Sequence, residues 1–318
     1  MKFCFAFICF FFCLAAFSQT DTTQTDLSAT NRYFRWVYDN DLFRETDRYY
    51  SKGEMLEIVA PVFKKSPFSY ALLPLKNSQN YYGLSIQHDV FTPINIEPDT
   101  SNKFERPYAA TFVIRHSLVS IDSQKKMRLS SKLETGIIGS WALGEEVQTF
   151  VHKLVNSALP LGWENQINND LVLNYNVAFE KALLSKKYFE TIPFAEARAG
   201  TLNNDVALGL YLRAGLMNSY FAHYGLIKNS PKKFQIYLMA RAQAKFVAYN
   251  ATLQGGFFSN SIYTIPSKNV NRMVYSANLS LVLAFRGISI EYLNNYLTQE
   301  FKTGVDHGWG SLRLTFCF

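Results

Sequence analysis

Cysteine is nearly absent from the chain once its first residues are set aside. Cys4, Cys9 and Cys13 fall within an apolar N-terminal run from Phe3 to Phe17, and only Cys317 lies beyond it. An intrachain disulfide and a cysteine metal site are thereby excluded once that run is removed. Beyond it no stretch of about 18 or more apolar residues occurs, so no transmembrane helix is expected. The Gly-x-Ser-x-Gly signature is missing, which weighs against a nucleophile-elbow hydrolase. Internal repeats are missing as well.

The first run reads as an export signal. Met1-Lys2 gives a positive start, and Ala16-Phe17-Ser18 offers small residues at the two positions a signal peptidase reads. The polar stretch Gln19-Thr20-Asp21-Thr22 follows at once. Residues 1–18 are expected to be a signal peptide, 19–30 a polar leader and 31–318 one domain. Cys13 is a poor lipoprotein site, because bulky phenylalanines precede it. A formal charge of +7 and a pI near 9.1 permit nucleic acid or anionic lipid as partners. Export sets nucleic acid aside. The chain is rich in aromatics, with 19 Tyr and 27 Phe, which suit strands and the interfacial girdles of membrane barrels.

Alternation is what recurs. From Met273 to Phe285 one face reads Met273, Tyr275, Ala277, Leu279, Leu281, Leu283, Phe285. The other reads Val274, Ser276, Asn278, Ser280, Val282, Ala284. Phe234 to Ala248 and Val206 to Leu216 repeat the pattern, with Arg241 and Lys245, or Arg213, opposite the apolar face. A soluble sandwich buries the apolar face and wets the charged one. A membrane barrel turns the apolar face to lipid and the charged one to the lumen. Export, strand lengths near or above the roughly 10 residues that cross a tilted wall, and the C-terminus favour the barrel. The last strand carries Leu312, Leu314, Phe316 and Phe318 on one face, and its terminal Phe resembles the signal that barrel assembly machinery reads.

The reading is an all-β fold: an antiparallel transmembrane β-barrel of about twelve strands, monomeric, in the outer membrane of a Gram-negative bacterium. The strands are expected at 32–43, 51–61, 79–90, 107–121, 127–142, 171–184, 187–201, 204–217, 233–250, 271–286, 287–299 and 308–318. Segments 44–50, 91–106, 143–170, 251–270 and 300–307 then lie outside the cell. Segments 62–78 and 218–232 lie in the periplasm; they are longer than usual for that side, and the sequence assigns them no function.

Three constellations could carry chemistry. The first is Asp39-Asn40-Asp41-Leu42-Phe43, then Thr46-Asp47-Arg48-Tyr49-Tyr50-Ser51-Lys52-Gly53. Period two puts Asp39, Asp41 and Ser51 on the lumen side, where three oxygen-bearing groups at the rim suit a hard cation such as calcium. Asn40 points the other way unless a bulge turns it or its carbonyl serves instead. A polar hairpin loop explains the same residues. The second is Gly144 to Val155, the one segment that reads as helix and the helix expected in an extracellular loop. Val147, Phe150, Val151 and Leu154 form its apolar stripe, and Gln148 and His152, four apart, share another face. An imidazole there can serve as a base, be structural or be merely exposed. The third is Glu105-Arg106-Pro107-Tyr108-Ala109, where Arg106, with Lys103 nearby, could hold a phosphate or pair with Glu105.

Taken in order, these blocks closely resemble the lipid A 3′-O-deacylase family of outer-membrane proteins (LpxR-like). The resemblance runs through Glu146-Val147-Gln148 with His152, Gly162-Trp163-Glu164-Asn165-Gln166, Thr298-Gln299-Glu300-Phe301-Lys302-Thr303-Gly304 and Gly308-Trp309-Gly310-Ser311. It implies a twelve-stranded barrel with its site between the wall and the loop helix, and a calcium-dependent esterase acting on lipid A in lipopolysaccharide at the outer leaflet. His152 would be the base, with Gln148 beside it. Asn40, Asp41 and Ser51, with Asp39 next to them, would hold Ca2+, and Arg106 and Lys103 would meet the substrate. Two positions depart from the pattern. Some relatives carry an acid six residues after the histidine, where this chain has Ala158, and the first acid of the opening block, often Glu, is Asp39 here. The competing readings are a non-catalytic porin or structural barrel, and an outer-membrane phospholipase, which would need a serine beside a histidine on the wall.

Overall fold

The computed structural model describes residues 32–41, 48–96, 105–225 and 232–318. The expected signal peptide and leader, and Lys103, lie outside the described residues. Strands β1 (Tyr33–Asn40), β2 (Tyr49–Val59), β3 (Gln79–Thr92), β4 (Ala109–Asp122), β5 (Met127–Ile138) and β6 (Asp170–Lys181) follow one another. They are continued by β7 (Leu184–Lys186), β8 (Phe189–Gly200), β9 (Asn203–Leu216), β10 (Phe234–Asn250), β11 (Met273–Phe285), β12 (Ile288–Leu297) and β13 (His307–Cys317). Each pairs antiparallel with its neighbours, and β1 pairs with β13, which closes the sheet. The three-residue β7 takes over the pairing with β8 where β6 leaves off, so the wall has twelve strand positions.

The alternating faces fall as a membrane barrel requires. Leu279 and Leu281 of β11 are 54% and 43% exposed, whereas the alternating Ser280 and Val282 are buried. A soluble sandwich would show the reverse. The inner face carries ion pairs set directly across adjacent strands: Arg35 opposite Glu57, Arg128 opposite Glu180, Arg213 opposite Glu190 and Arg313 opposite Glu291. Their N–O separations are 2.9, 2.6, 2.5 and 2.7 Å.

Both long segments expected in the periplasm have places in this architecture. Met217 to Gly225, after β9, turns into the lumen and plugs it: Phe221 is fully buried, Tyr220 stacks on Arg128, and Tyr224 meets Tyr33 and Tyr81. Glu190 fastens the plug by accepting from Ser219 Oγ at 3.0 Å and from the Tyr220 backbone N–H. Residues 61–78 form a strap that lies outside the barrel across β4, β5 and β6. Leu73 N–H donates to Ser131 Oγ and Tyr175 Oη donates to the Ala71 carbonyl, so wall groups that would otherwise face lipid are satisfied. At the opposite rim Tyr49, Leu253, Ile265, Val270 and Phe301 cluster over the lumen. Between plug and cap remains a polar cavity of about 420 Å³ lined by Arg35, Arg115 and Arg313.

Candidate functional site at the outer rim

On β3 the exposed Leu84 and Ile86 mark the even positions as lipid-facing, and His88, Val90 and Thr92 continue that face to the rim. Register carries the face across neighbouring strands: Asn40 pairs with Lys52, Lys52 with Val90, and Val90 with Ala110. Lipid would be expected here, yet Val90 and Ala110 are buried. The loop after β5 covers them, with Ala142, Trp163 and Tyr108 packed on the pair. The Ala142 carbonyl lies 2.8 Å from His88 Nε2.

Helix α1 (Gly144–Val155) grows from this cover. A Cβ at Gly144 would stand 2.5 Å from both the Ala110 Cβ and the Trp163 ring, so only glycine lets the helix start so close to the wall. Glu145 and Glu146 in the first turn suit its dipole. The face turned to the wall is the polar one: Gln148 and His152 are 5% and 8% exposed. Trp163 Nε1 donates to Gln148 Oε1 at 2.9 Å, leaving the buried Nε2 without an acceptor among the described residues. Asn156, in the left-handed region at φ 55°, ends the helix, and Ser157 N–H caps the His152 carbonyl. The reversed chain brings the Ala158 carbonyl 2.5 Å from His152 Nδ1. In the neutral imidazole this places the proton on Nδ1 and the lone pair on Nε2. At position 158 it is thus a backbone oxygen that meets the imidazole.

The oxygen donors of the opening block do not share one side of the wall, as simple alternation predicts. Asp39 faces the lumen, 2.9 Å from the Tyr50 hydroxyl, which also meets Asp89. Asn40 falls on the outer face, with its amide donating to Tyr38 Oη. At Ser51 the β2–β3 register slips by one residue. That bulge turns Ser51 outward beside Lys52, where its Oγ lies 2.6 Å from Thr92 Oγ1. Asp41, one residue past the Asn40–Lys52 pair, stands across from the bulge, is 1% exposed and accepts the Arg48 N–H at 2.6 Å. Ser51 on the lumen side is thus corrected, because a one-residue bulge inverts every face beyond it. Thr92, Trp163 and the Ala158 carbonyl were missed. Trp163 stood in a family block, whereas the other two follow only from register and chain reversal.

Arg106 also lies elsewhere. It is 2% exposed under the lumen cap, paired with Glu300 at 2.5 Å, bonded to Thr252 Oγ1 at 2.9 Å and stacked on Phe91. That arrangement engages both terminal nitrogens of the guanidinium at the lumen cap, while Nε has no partner among the described residues. A wall histidine does meet a serine: His116 Nε2 lies 2.9 Å from Ser69 Oγ. This pair is at the periplasmic end under the strap, and the serine hydroxyl also reaches the Phe63 carbonyl at 3.0 Å.

A model of the family described as outer membrane protein LpxR matches residues 5–318. The chain belongs to the LpxR family. LpxR from Salmonella typhimurium is similar in structure, with a TM-score of 0.73, 19% identity, and coverage of 90% of this chain and 100% of that one. An outer membrane channel from Pseudomonas putida F1 matches less well, at TM-score 0.45, 10% identity and 94% and 100% coverage. No curated protein matches in sequence. With the barrel architecture, LpxR-family membership places the chain in the outer membrane.

Could this rim hold calcium? Among the described residues no three His, Cys, Asp or Glu side chains gather as a metal site. The oxygen set at this rim is one buried carboxylate, Asp41, next in sequence to Asn40 with its outer-face amide, and the hydroxyls of Ser51 and Thr92. An all-oxygen set of this kind has the chemistry of a hard-cation site.

Proposed function

We propose that the protein hydrolyses an ester-linked acyl chain of lipid A at the outer leaflet, with His152 as general base. The observation that carries this reading is the His152–Ala158 contact, made by a buried imidazole on the helix face that meets the lipid side of the wall. The contact supports a tautomer with its lone pair on Nε2, on the side of the helix turned to the wall. The helix, about 18 Å long for its twelve residues, starts over β4. That length is enough to span the roughly 14 Å back to Asn40 on β1.

In the reaction, Nε2 of His152 takes a proton from water as the water oxygen bonds to the ester carbonyl carbon. The Gln148 Nε2 donor, one turn earlier, is suited to meet the oxygen on which charge develops. The imidazolium then returns its proton to the departing alkoxide as the C–O bond breaks. A fatty acid and a free hydroxyl on the sugar lipid result. Asn40, Asp41 and Ser51 would hold calcium, which when bound supplies polarisation of the ester carbonyl. Asp39 is left to the lumen network.

The plugged lumen argues against a porin, since Tyr220, Phe221 and Tyr224 occupy the path. Mass spectrometry of lipid A from cells with and without the protein tests the reading: loss of the mass of one acyl chain is expected only when the protein is present. Unchanged lipid A in cells and with purified, calcium-loaded protein would reject it.

A further inference from the structure

Helix α1 wears its faces the wrong way round for a helix packed on a soluble core. Gln148 and His152 are buried, while Phe150 and Leu154 are 68% and 74% exposed. At 3.6 residues per turn, Phe150 and Leu154 stand about 160° and 200° round the axis from His152. Leu143, seven residues before Phe150, extends the stripe, and Trp141 stands exposed just ahead of it. Glu146 and Lys153, about 120° and 100° from His152, make a third, exposed sector between the two. The helix therefore has three sides: one for the wall, one for water and one that is apolar.

The wall identifies what meets the apolar side. Helix α1 starts against Ala110 on the outer face of β4, where Phe112 and Ile114 are exposed to lipid, and the loop leads into β6, whose Leu171 and Leu173 are exposed likewise. The stripe begins at Leu143, next to Ala142, which packs on this outer face. Trp141 lies at the junction, the position aromatic residues take at a membrane interface.

We propose that α1 is an interfacial helix whose Leu143–Phe150–Leu154 stripe, with Trp141, is immersed among the acyl chains of the outer leaflet. Glu146 and Lys153 stay at headgroup level. Immersion follows from the barrel and the helix alone. Its consequence, that a lipid ester enters between helix and wall without leaving the membrane, rests on the deacylase reading.

The test uses single cysteines in a Cys317→Ser background: Phe150→Cys, Leu154→Cys and, as the water-side control, Lys153→Cys. Each is labelled with bimane and reconstituted, as the full folded barrel, in phosphatidylcholine vesicles containing a nitroxide-chain phosphatidylcholine. Heat-modifiable mobility verifies folding. Labels at 150 and 154 should be quenched several-fold more by the nitroxide lipid than the label at 153, and iodide should quench only the last. Iodide quenching of all three alike would overturn the proposal. So would disulfide-linked dimers through position 150, which would assign the stripe to a second copy. Immersion with no change in lipid A mass would uphold this inference and sink the deacylase reading instead.

Discussion

On the inner face of the wall Arg213 stands directly opposite Glu190, 2.5 Å away, and Arg313 opposite Glu291. On the outer face, Asn40, Ser51, Thr92 and His88 sit where Leu84 and Ile86, further down, face hydrocarbon. Both sets are polar and half-buried or more, yet they differ in kind. The inner charges are matched across adjacent strands by register, the arrangement that neutralises charge in a lumen. The outer groups are sheltered from lipid by a covering loop that brings polar groups of its own, one of them the Gln148 amide nitrogen with no acceptor among the described residues. A barrel has every reason to keep polar atoms off its lipid side. Polar groups that are sheltered there instead point to chemistry with a lipid.

The sharpest way to break this contrast is His152→Ala. Positioned general-base catalysis is typically worth about 10²–10⁴-fold, so lipid A deacylation should fall by that order. Heat-modifiable mobility should be unchanged. Wild-type activity in this variant would leave a deacylase possible and remove its base. Asp41→Ala comes next, at about 10²–10³-fold, the scale of losing one element of oxyanion stabilisation. Chelator should give the wild type the same defect, and added calcium should relieve it. Full turnover in excess chelator would refute the cation.

Glu190→Ala probes the other face. It strands Arg213 and unfastens the plug, and removing one partner of a buried pair costs about 3–5 kcal/mol. Urea unfolding should show the loss, while the folded fraction deacylates at the wild-type rate. Reduced turnover per folded molecule would mean that the lumen takes part in catalysis.

The difference between the faces also sets what the sequence discloses. Period-two alternation with Arg and Glu mid-strand is visible in residues 206–216 and 273–285, and it leads to twelve strands close to the observed limits. The helix at Gly144–Val155 is visible from its spacing. The side on which the site lies is not. One residue of slippage at Ser51 inverts a face, and nothing in Tyr50-Ser51-Lys52 announces a bulge. The apolar stripe of α1 identifies a helix but suggests burial on the core, because its lipid partner is not part of the chain. The plug and strap were legible only as excess length, since their anchors, Glu190 and Ser131, lie 29 or more residues away in sequence.

The smallest effect is expected at Ala158, and it is informative for being small. Here a backbone carbonyl, that of Ala158, reaches His152 Nδ1. A main-chain oxygen survives any substitution that keeps the backbone path, and that path is set by Asn156 in the left-handed region and by the Ser157 cap on the His152 carbonyl. Ala158→Ser should therefore leave deacylation and its pH profile indistinguishable from wild type. Asn156→Val, by contrast, puts a β-branched residue at positive φ, a strained conformation worth about 1–3 kcal/mol, and should displace the carbonyl and slow the reaction. If Ala158→Ser were slow and Asn156→Val normal, the side chain at 158 and not the turn would be orienting the imidazole.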